Sequence, residues 1–396
     1  MRKEKRKGHH QYVLFPGIQF VSQQDIEGGS INAQSASGFT FKETYPSSGS
    51  KPAPKPEWME LIKNANITNA PVLKANGDDG PTQKGDADPY CDWTFTGCTR
   101  DDDIVACPKG QWGITYDDGP TEFSPKLYDF LDTTQQKATL FMIGGQVVAF
   151  PDLVTRAYKT GHELAMHTWS HSYLTTETNE QVVAELMWTA TAIKEVTGVT
   201  PRFYRPPYGD IDDRVRSIGH ALGFTPVIWN HDTDDWKAGE DKTFDEKWID
   251  GNVTEWAGEA SSASVGGISL EHDLYQKTVD AAIRVLPTLQ KAYKVTTVGQ
   301  CVGQQSYKEG GAPQNSTSSA APSAASSSAA ASSSAAPASS SGASSSGAEA
   351  AGVSSGSAAA SSSASSSAQE NTSGASRTAI SSAVLALGAS AAYMLI

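Results

Sequence analysis

Positive charge is scarce in this chain. Its 31 Lys and Arg stand against 44 Asp and Glu, a formal charge of −13. Binding to phosphates needs a basic face, so nucleic acid is excluded as a partner. An uncharged substrate in an acidic external medium fits the balance better. A clean secretory signal is also lacking. Residues 1–7 are basic, but the apolar run at 12–21 is broken by Pro16 and Gly17, and no small-residue cleavage site follows. The rest of the chain speaks for secretion, so either the start is mis-assigned or the signal is divergent. Cysteine is sparse: Cys91, Cys98, Cys107 and Cys301, with no C-x-x-C pair. An even number at the edges of the patterned region reads as two disulfides in an oxidising compartment. Four free buried thiols are the alternative.

Large apolar residues nearly vanish after Gly311. From there to Ala368 the chain is almost all Ser, Ala and Gly. Such a tract has too little apolar surface to offset chain entropy and is expected to be disordered, as an O-glycosylated stalk would be. About 220 residues with strand and helix patterns remain, enough for one sizeable domain. Residues 22–85 are rich in Ser, Gly, Pro and Asn and are read as a loose leader with one helical candidate at 57–63. Long apolar runs are limited to the last 18 residues, 379–396, which are marginal for a bilayer span. No basic flank follows them, as a spanning helix would want. Small residues at 371–376 and a short spacer precede them. That order resembles a glycosylphosphatidylinositol (GPI) anchor signal, with Asn371, Ser373 or Gly374 as the attachment residue. Asn66, Asn252, Asn315 and Asn371 head glycosylation sequons.

What is present is a set of polar clusters behind short strands. Residues 112–116 read as one buried strand. Asp117-Asp118-Gly119-Pro120 follows at its C-terminal end, where chemistry sits in α/β folds. Two adjacent carboxylates repel when both are ionised, so a cation beside them is expected. A second strand, 163–166, leads into His167-Thr168-Trp169-Ser170-His171. Imidazoles four apart meet one ion if the backbone makes a single helical turn. Two His and one Asp form a facial set suited to a catalytic metal. Around these clusters strands alternate with helices. Ser124 is the expected cap of a helix with Pro125 at its first position. Thr178 to Gln181 form a capping box for a helix ending at Gly198. Further helices are expected at 151–160, 211–222 and 276–292, the last kinked at Pro287. Strands are expected at 138–143, 226–229, 268–270 and 294–298, and Phe203-Tyr204 leads into the Arg-Pro-Pro-Tyr turn at 205–208. Repeated βα units with active residues at strand ends imply a parallel barrel.

T-Y-D-D-G-P (115–120), H-T-W-S-H (167–171), R-P-P-Y-G-D (205–210), D-T-D-D-W (232–236) and S-L-E-H-D (269–273) occur in that order. Together they resemble the five motifs of the polysaccharide deacetylases, carbohydrate esterase family four, the NodB-homology domain. Within that family they are similar to the fungal chitin deacetylases. The resemblance covers about 91–303, and five ordered motifs are far more specific than one. It implies an α/β fold, the family's distorted (β/α) barrel, followed by the disordered Ser/Ala-rich C-terminal stalk. The resulting organisation is a leader at 1–85, a catalytic domain at 86–308, the stalk at 309–370 and a GPI signal at 371–396. Cys107 is expected to pair with Cys301, as in similar fungal deacetylases, and Cys91 with Cys98.

The resemblance also implies roles. Asp118, His167 and His171 hold a divalent ion, zinc or cobalt. Asp117 is the catalytic base and His272 the acid that protonates the departing amine. The backbone N–H of Tyr208 faces the oxyanion. Arg205 pairs with Asp117 and keeps it ionised; Asp235 pairs with His272 and keeps it protonated, with Asp232 in the same network. Trp236 offers an apolar face to the sugar. The implied substrate is chitin or a chito-oligosaccharide, the implied protein a monomer, wall-associated and held to the membrane through a GPI anchor. The same fold and metal would serve acetylxylan or peptidoglycan. A wall protein that only binds carbohydrate is the reading from another class, and the intact acidic and histidine positions argue against it.

Overall fold

The structure, a computed structural model, describes residues 38–76, 80–82, 85 and 87–310. A small antiparallel hairpin comes first, β1 (Lys74–Ala75) with β2 (Pro81–Thr82). Nine short strands follow: β3 (Gln111–Gly113), β4 (Thr115–Asp117), β5 (Thr139–Met142), β6 (Glu163–Met166), β7 (Phe203–Tyr204), β8 (Thr225–Pro226), β9 (His231–Asp232), β10 (Gly267–Leu270) and β11 (Lys294–Thr296). They lie in two sheets, ordered β11-β3-β10-β9 and β4-β5-β6-β7-β8, with every pairing parallel. A parallel bridge from Asp117 to His272 joins the sheets into a distorted barrel, and one from Ile104 to Val227 adds a short segment beside the end of β8. Strands β4, β5, β6 and β10 are buried at every position. Parallel strands flanked by helices bury both faces, which is why they read as continuous rather than alternating apolar runs.

The strand expected at 112–116 is divided at Ile114. The Ile114 N–H donates to the Thr296 carbonyl, and the Ile114 carbonyl accepts from Thr139 N–H, each at 3.0 Å. The residue therefore hands the chain from β11 on one side to β5 on the other. Both sheets share this segment, and the Asp-Asp pair emerges at its end.

Helices cover the barrel: α1 (Pro56–Ile62), α2 (Trp93–Thr96), α3 (Ser124–Thr133), α4 (Gly144–Ala149), α5 (Pro151–Lys159), α6 (Asn179–Thr197), α7 (Asp213–Ala221), α8 (Trp236–Glu240), α9 (Lys247–Glu259), α10 (Gln276–Ala292) and α11 (Val298–Val302). Helix α6 opens on the Thr178–Gln181 capping box and stops at Gly198, whose φ of 83° only glycine adopts freely. Pro287 lies inside α10, which runs through it. Ser124 is not a cap. It is the first residue of α3, and its hydroxyl accepts the Thr121 N–H at 2.7 Å while donating to Asp273 Oδ2 at 2.5 Å. The hydroxyl thus ties the turn after the Asp-Asp pair to the barrel rather than to the helix end.

The part of the leader that the structure describes is not loose. Tyr45, Trp58 and Ile62 are buried in the main core with residues of α6 and α7. Aromatic side chains scattered through a polar sequence supply that contact, and composition alone hid it. The disulfides are Cys91–Cys98 and Cys107–Cys301. The second ties the loop before β3 to α11. Asn66 is exposed, Asn252 is half-buried within α9, and Asn315 and Asn371 lie outside the described residues, as do Ser373, Gly374, the stalk and the apolar tail. Among the described residues no helix is long and apolar enough to cross a membrane.

Candidate active site

The motif residues lie where strands end and helices have not yet begun. β4 ends on Asp117, β6 ends one residue before His167, β7 one before Arg205, β9 on Asp232 and β10 two before His272. Several of these turns take strained backbone. Among the described residues seven other than glycine have positive φ, and five of them are Asp118 (75°), Thr168 (63°), His171 (60°), Tyr208 (60°) and Asp234 (57°). Each such residue costs on the order of 1–3 kcal/mol and persists only where its surroundings fix it. The bend from His167 to His171 is therefore not the helical turn that the spacing predicts. It carries no regular structure, and two left-handed residues aim the second imidazole back at the first.

The donor atoms of Asp118, His167 and His171 lie within 4.8 Å of one another. Asp118 Oδ1 is 3.3 Å from His167 Nε2 and 3.2 Å from His171 Nε2. His167 Nδ1 is 2.8 Å from the Arg205 carbonyl. A carbonyl only accepts, so Nδ1 carries the proton and Nε2 of the neutral ring presents a lone pair. Asp118 Oδ1 is buried without a hydrogen-bond partner. Lone pairs facing one another inside a protein call for a cation, so these residues fit a divalent ion. Burial pushes the Asp118 carboxyl up; when the imidazoles are protonated, His171 and His167 outweigh it and hold it well below the usual range. The residue stays an anion.

Asp117 is buried beside them. Its Oδ1 accepts from Arg205 Nη1 at 2.8 Å. Its Oδ2 has no hydrogen-bond partner and lies 3.9 Å from His167 Nε2. Arg205 is fully buried, bonds Thr115 Oγ1 at 2.7 Å and lies 4.2 Å over the Phe141 ring. Burial lowers its pKa and Asp117 opposes that. Across the rim, His272 Nδ1 is 2.7 Å from Asp235 Oδ1, and its backbone N–H donates to Asp235 Oδ2 at 2.9 Å. Burial would lower the His272 pKa, yet Asp235 dominates and raises it to about 10. Asp232 Oδ1 accepts the Asp234 N–H at 2.9 Å, and burial, then Asp234, push this carboxyl up to about 6. Trp236 opens α8, half-buried, with Lys237 Nζ 5.3 Å over its ring. Tyr208 sits in the 3-10 turn Pro207–Gly209, its ring stacked on Tyr173 at 3.9 Å and edge-on to His171 at 4.7 Å.

Glu185, on α6, was missed by sequence reasoning. It is buried, and accepts from the Trp169 N–H at 2.7 Å, the Ser170 N–H at 2.9 Å and Ser170 Oγ at 2.6 Å. One carboxylate thus satisfies the backbone between the two histidines. A signal did exist: Glu185 interrupts the apolar face made by Val182, Val183 and Leu186.

The chain is similar to known proteins. The polysaccharide deacetylase family matches residues 105–227. Chitin deacetylase 1 of Cryptococcus neoformans var. grubii is 40% identical over 290 residues, covering 67% of this chain and 60% of that protein. The chain thus spans less than two thirds of that relative's length. The solved chitin deacetylase of Colletotrichum lindemuthianum matches with a TM-score of 0.47 and 28% identity, over 52% of this chain and 94% of that one. Chitin deacetylase 3 of Cryptococcus neoformans var. neoformans is 36% identical over 290 residues, covering 67% of this chain and 68% of that protein. On that extent of likeness, the chain belongs to the polysaccharide deacetylase family.

Proposed function

We propose that the chain is a secreted, metal-dependent chitin deacetylase, which hydrolyses the N-acetyl groups of N-acetylglucosamine units to acetate and glucosamine units. The observation that carries this reading is the buried, unpartnered Asp118 Oδ1 between two imidazole nitrogens, one strand from a buried His–Asp pair. The names of the relatives support chitin as the substrate class. Asp118, His167 and His171 would hold zinc or cobalt, which when bound supplies Lewis acidity towards the acetyl oxygen and acidifies water to a pKa of about 7. Asp117 takes the proton of the attacking water on Oδ2, with Oδ1 held by Arg205. The N–H of Tyr208 faces the oxyanion. His272, doubly protonated, gives its Nε2 proton to the departing nitrogen as the C–N bond breaks. Asp232 supports this network from β9, and Trp236 faces the sugar.

The residues 86–308 form the catalytic domain on this reading, and the protein acts as a monomer at the cell wall. The small residues Asn371, Ser373 and Gly374 before the apolar run support a GPI anchor, with 309–370 as the stalk. Glycans on Asn66, Asn252, Asn315 and Asn371 fit the same setting. The deciding experiment is acetate release from chitin oligomers, with chelator and with zinc or cobalt added back. Loss on chelation and recovery on add-back are expected. No release with any metal would sink the reading.

A further inference from the structure

The segment 38–63 makes contacts that the proposed chemistry does not use. It lies against the bend that carries both histidines. The Tyr45 ring stacks on Trp169, with centroids 5.7 Å apart and planes within 9°. Trp169 stands between His167 and His171 in the chain and is fully buried. Its Nε1–H donates to the Ser47 carbonyl at 3.3 Å. Ser48 packs beside Gly145 so closely that a Cβ there would come 2.4 Å from the Ser48 hydroxyl. The Gly144 and Gly145 N–H groups in turn donate to the Thr168 and Trp169 carbonyls at 2.8 and 3.2 Å.

The same segment is fastened to α6. Tyr45 Oη donates to Glu195 Oε2 at 2.7 Å. Trp188 Nε1–H donates to the Ala53 carbonyl at 2.9 Å, and Trp58 meets the Trp188 ring edge-on at 4.8 Å. Glu185 holds the bend from the α6 side. The bend is thus gripped by Glu185 through its backbone and by Tyr45 through its central side chain.

A bend without regular structure and with two left-handed residues does not hold its own shape; its surroundings must. A ligand set works only when its side chains are kept within about 0.5 Å of the required geometry. The geometry points to the segment 38–63 as a strap that sets the position of His167 and His171, with Tyr45 as a positioning residue acting through Trp169. This rests on the metal reading proposed above. Coupling of this kind is reciprocal: what the docked strap adds to ion affinity, the ion adds to strap docking.

The full chain with zinc alone as the probe tests this in two ways. In the unaltered protein, zinc should slow amide hydrogen exchange across 45–58, far from any ligand in sequence. By chelator competition, Tyr45→Ala should bind zinc about 10- to 100-fold more weakly, the usual scale for outer partners of metal ligands. Tyr45→Phe keeps the ring, loses only the Glu195 bond and should bind zinc like the parent. A folded Tyr45→Ala that holds zinc as the parent does, or strap exchange indifferent to zinc, overturns the inference. If Tyr45→Ala does not fold, the exchange result in the unaltered protein decides alone. A parent chain that binds neither zinc nor, in the same competition, cobalt overturns the metal reading and the strap with it.

Discussion

His272 and Asp235 are joined twice, once through the imidazole at 2.7 Å and once through the backbone N–H at 2.9 Å. A carboxylate that accepts both bonds fixes the ring and favours its charged form. The His272 pKa is raised from 6.5 to about 10. The charged pair therefore contributes its full stability below about pH 6.5, and loses it as pH rises through about 10. Urea midpoints of the metal-free protein should fall across that window. In Asp235→Asn the imidazole should titrate lower, because burial then dominates, and the slope should flatten. On the proposed mechanism the alkaline limb of the rate profile should also move to lower pH. An unchanged limb would assign it to another group.

The acid role of His272 makes a prediction about leaving groups. A tetrahedral intermediate from an amide expels water rather than amine unless nitrogen is protonated. His272→Ala should lower deacetylation of chitin oligomers by roughly a hundredfold or more. An activated aryl acetate needs little such help and should be far less affected. Equal losses on both substrates would make His272 a binding residue.

Asp117 and Asp118 are neighbours with opposite environments, one against a guanidinium and one against two imidazoles. Asp117→Asn should keep metal content and nearly abolish turnover. Asp118→Asn should lose the metal. Metal analysis of the two purified variants checks this, and the reverse pattern would exchange their roles.

Glu185→Ala removes the acceptor for two backbone N–H groups at the histidine bend. At about 1–3 kcal/mol for each donor left unpaired, the cost should be roughly 2–6 kcal/mol. Urea unfolding would measure it. A loss below about 1 kcal/mol would mean that the donors find other partners.

The two disulfides should differ in worth. Cys107–Cys301 spans a separation of 194 residues and Cys91–Cys98 one of 7. In the chain-entropy account that is about 5 against about 2 kcal/mol. Ser replacements of each pair, compared by denaturant midpoint, should rank in that order. The reverse ranking would mean that local contacts outweigh loop closure. One such contact is Arg216, which bonds the Cys91 and Cys98 carbonyls.

The legible features of the sequence were local ones. The Asp-Asp turn, the paired histidines and the α6 capping box each declare themselves within a few residues. So did the longer buried strands β5 and β6. Strands β7, β8 and β9 are two residues each, too short to carry a period. The division at Ile114 depends on partners at Thr139 and Thr296 that no local pattern reveals. Glu185 and Tyr45 act at the histidine bend from 14 residues after it and over 100 before it, so their importance lies in the fold. The left-handed backbone of Asp118, Thr168 and His171 is likewise invisible in composition, since none is glycine.

The pairing of β3 with β11 has a consequence for synthesis. The first barrel strand to leave the ribosome, β3, receives this neighbour only when Lys294–Thr296 has been made. Until then that flank of β3 offers free N–H and C=O groups, an open edge of the sort that other chains add to. Cys301 arrives five residues after β11, and with it the bond to Cys107. The nascent protein thus carries its adhesive side while all the residues between β3 and β11 are made. Closure and covalent locking then come almost together.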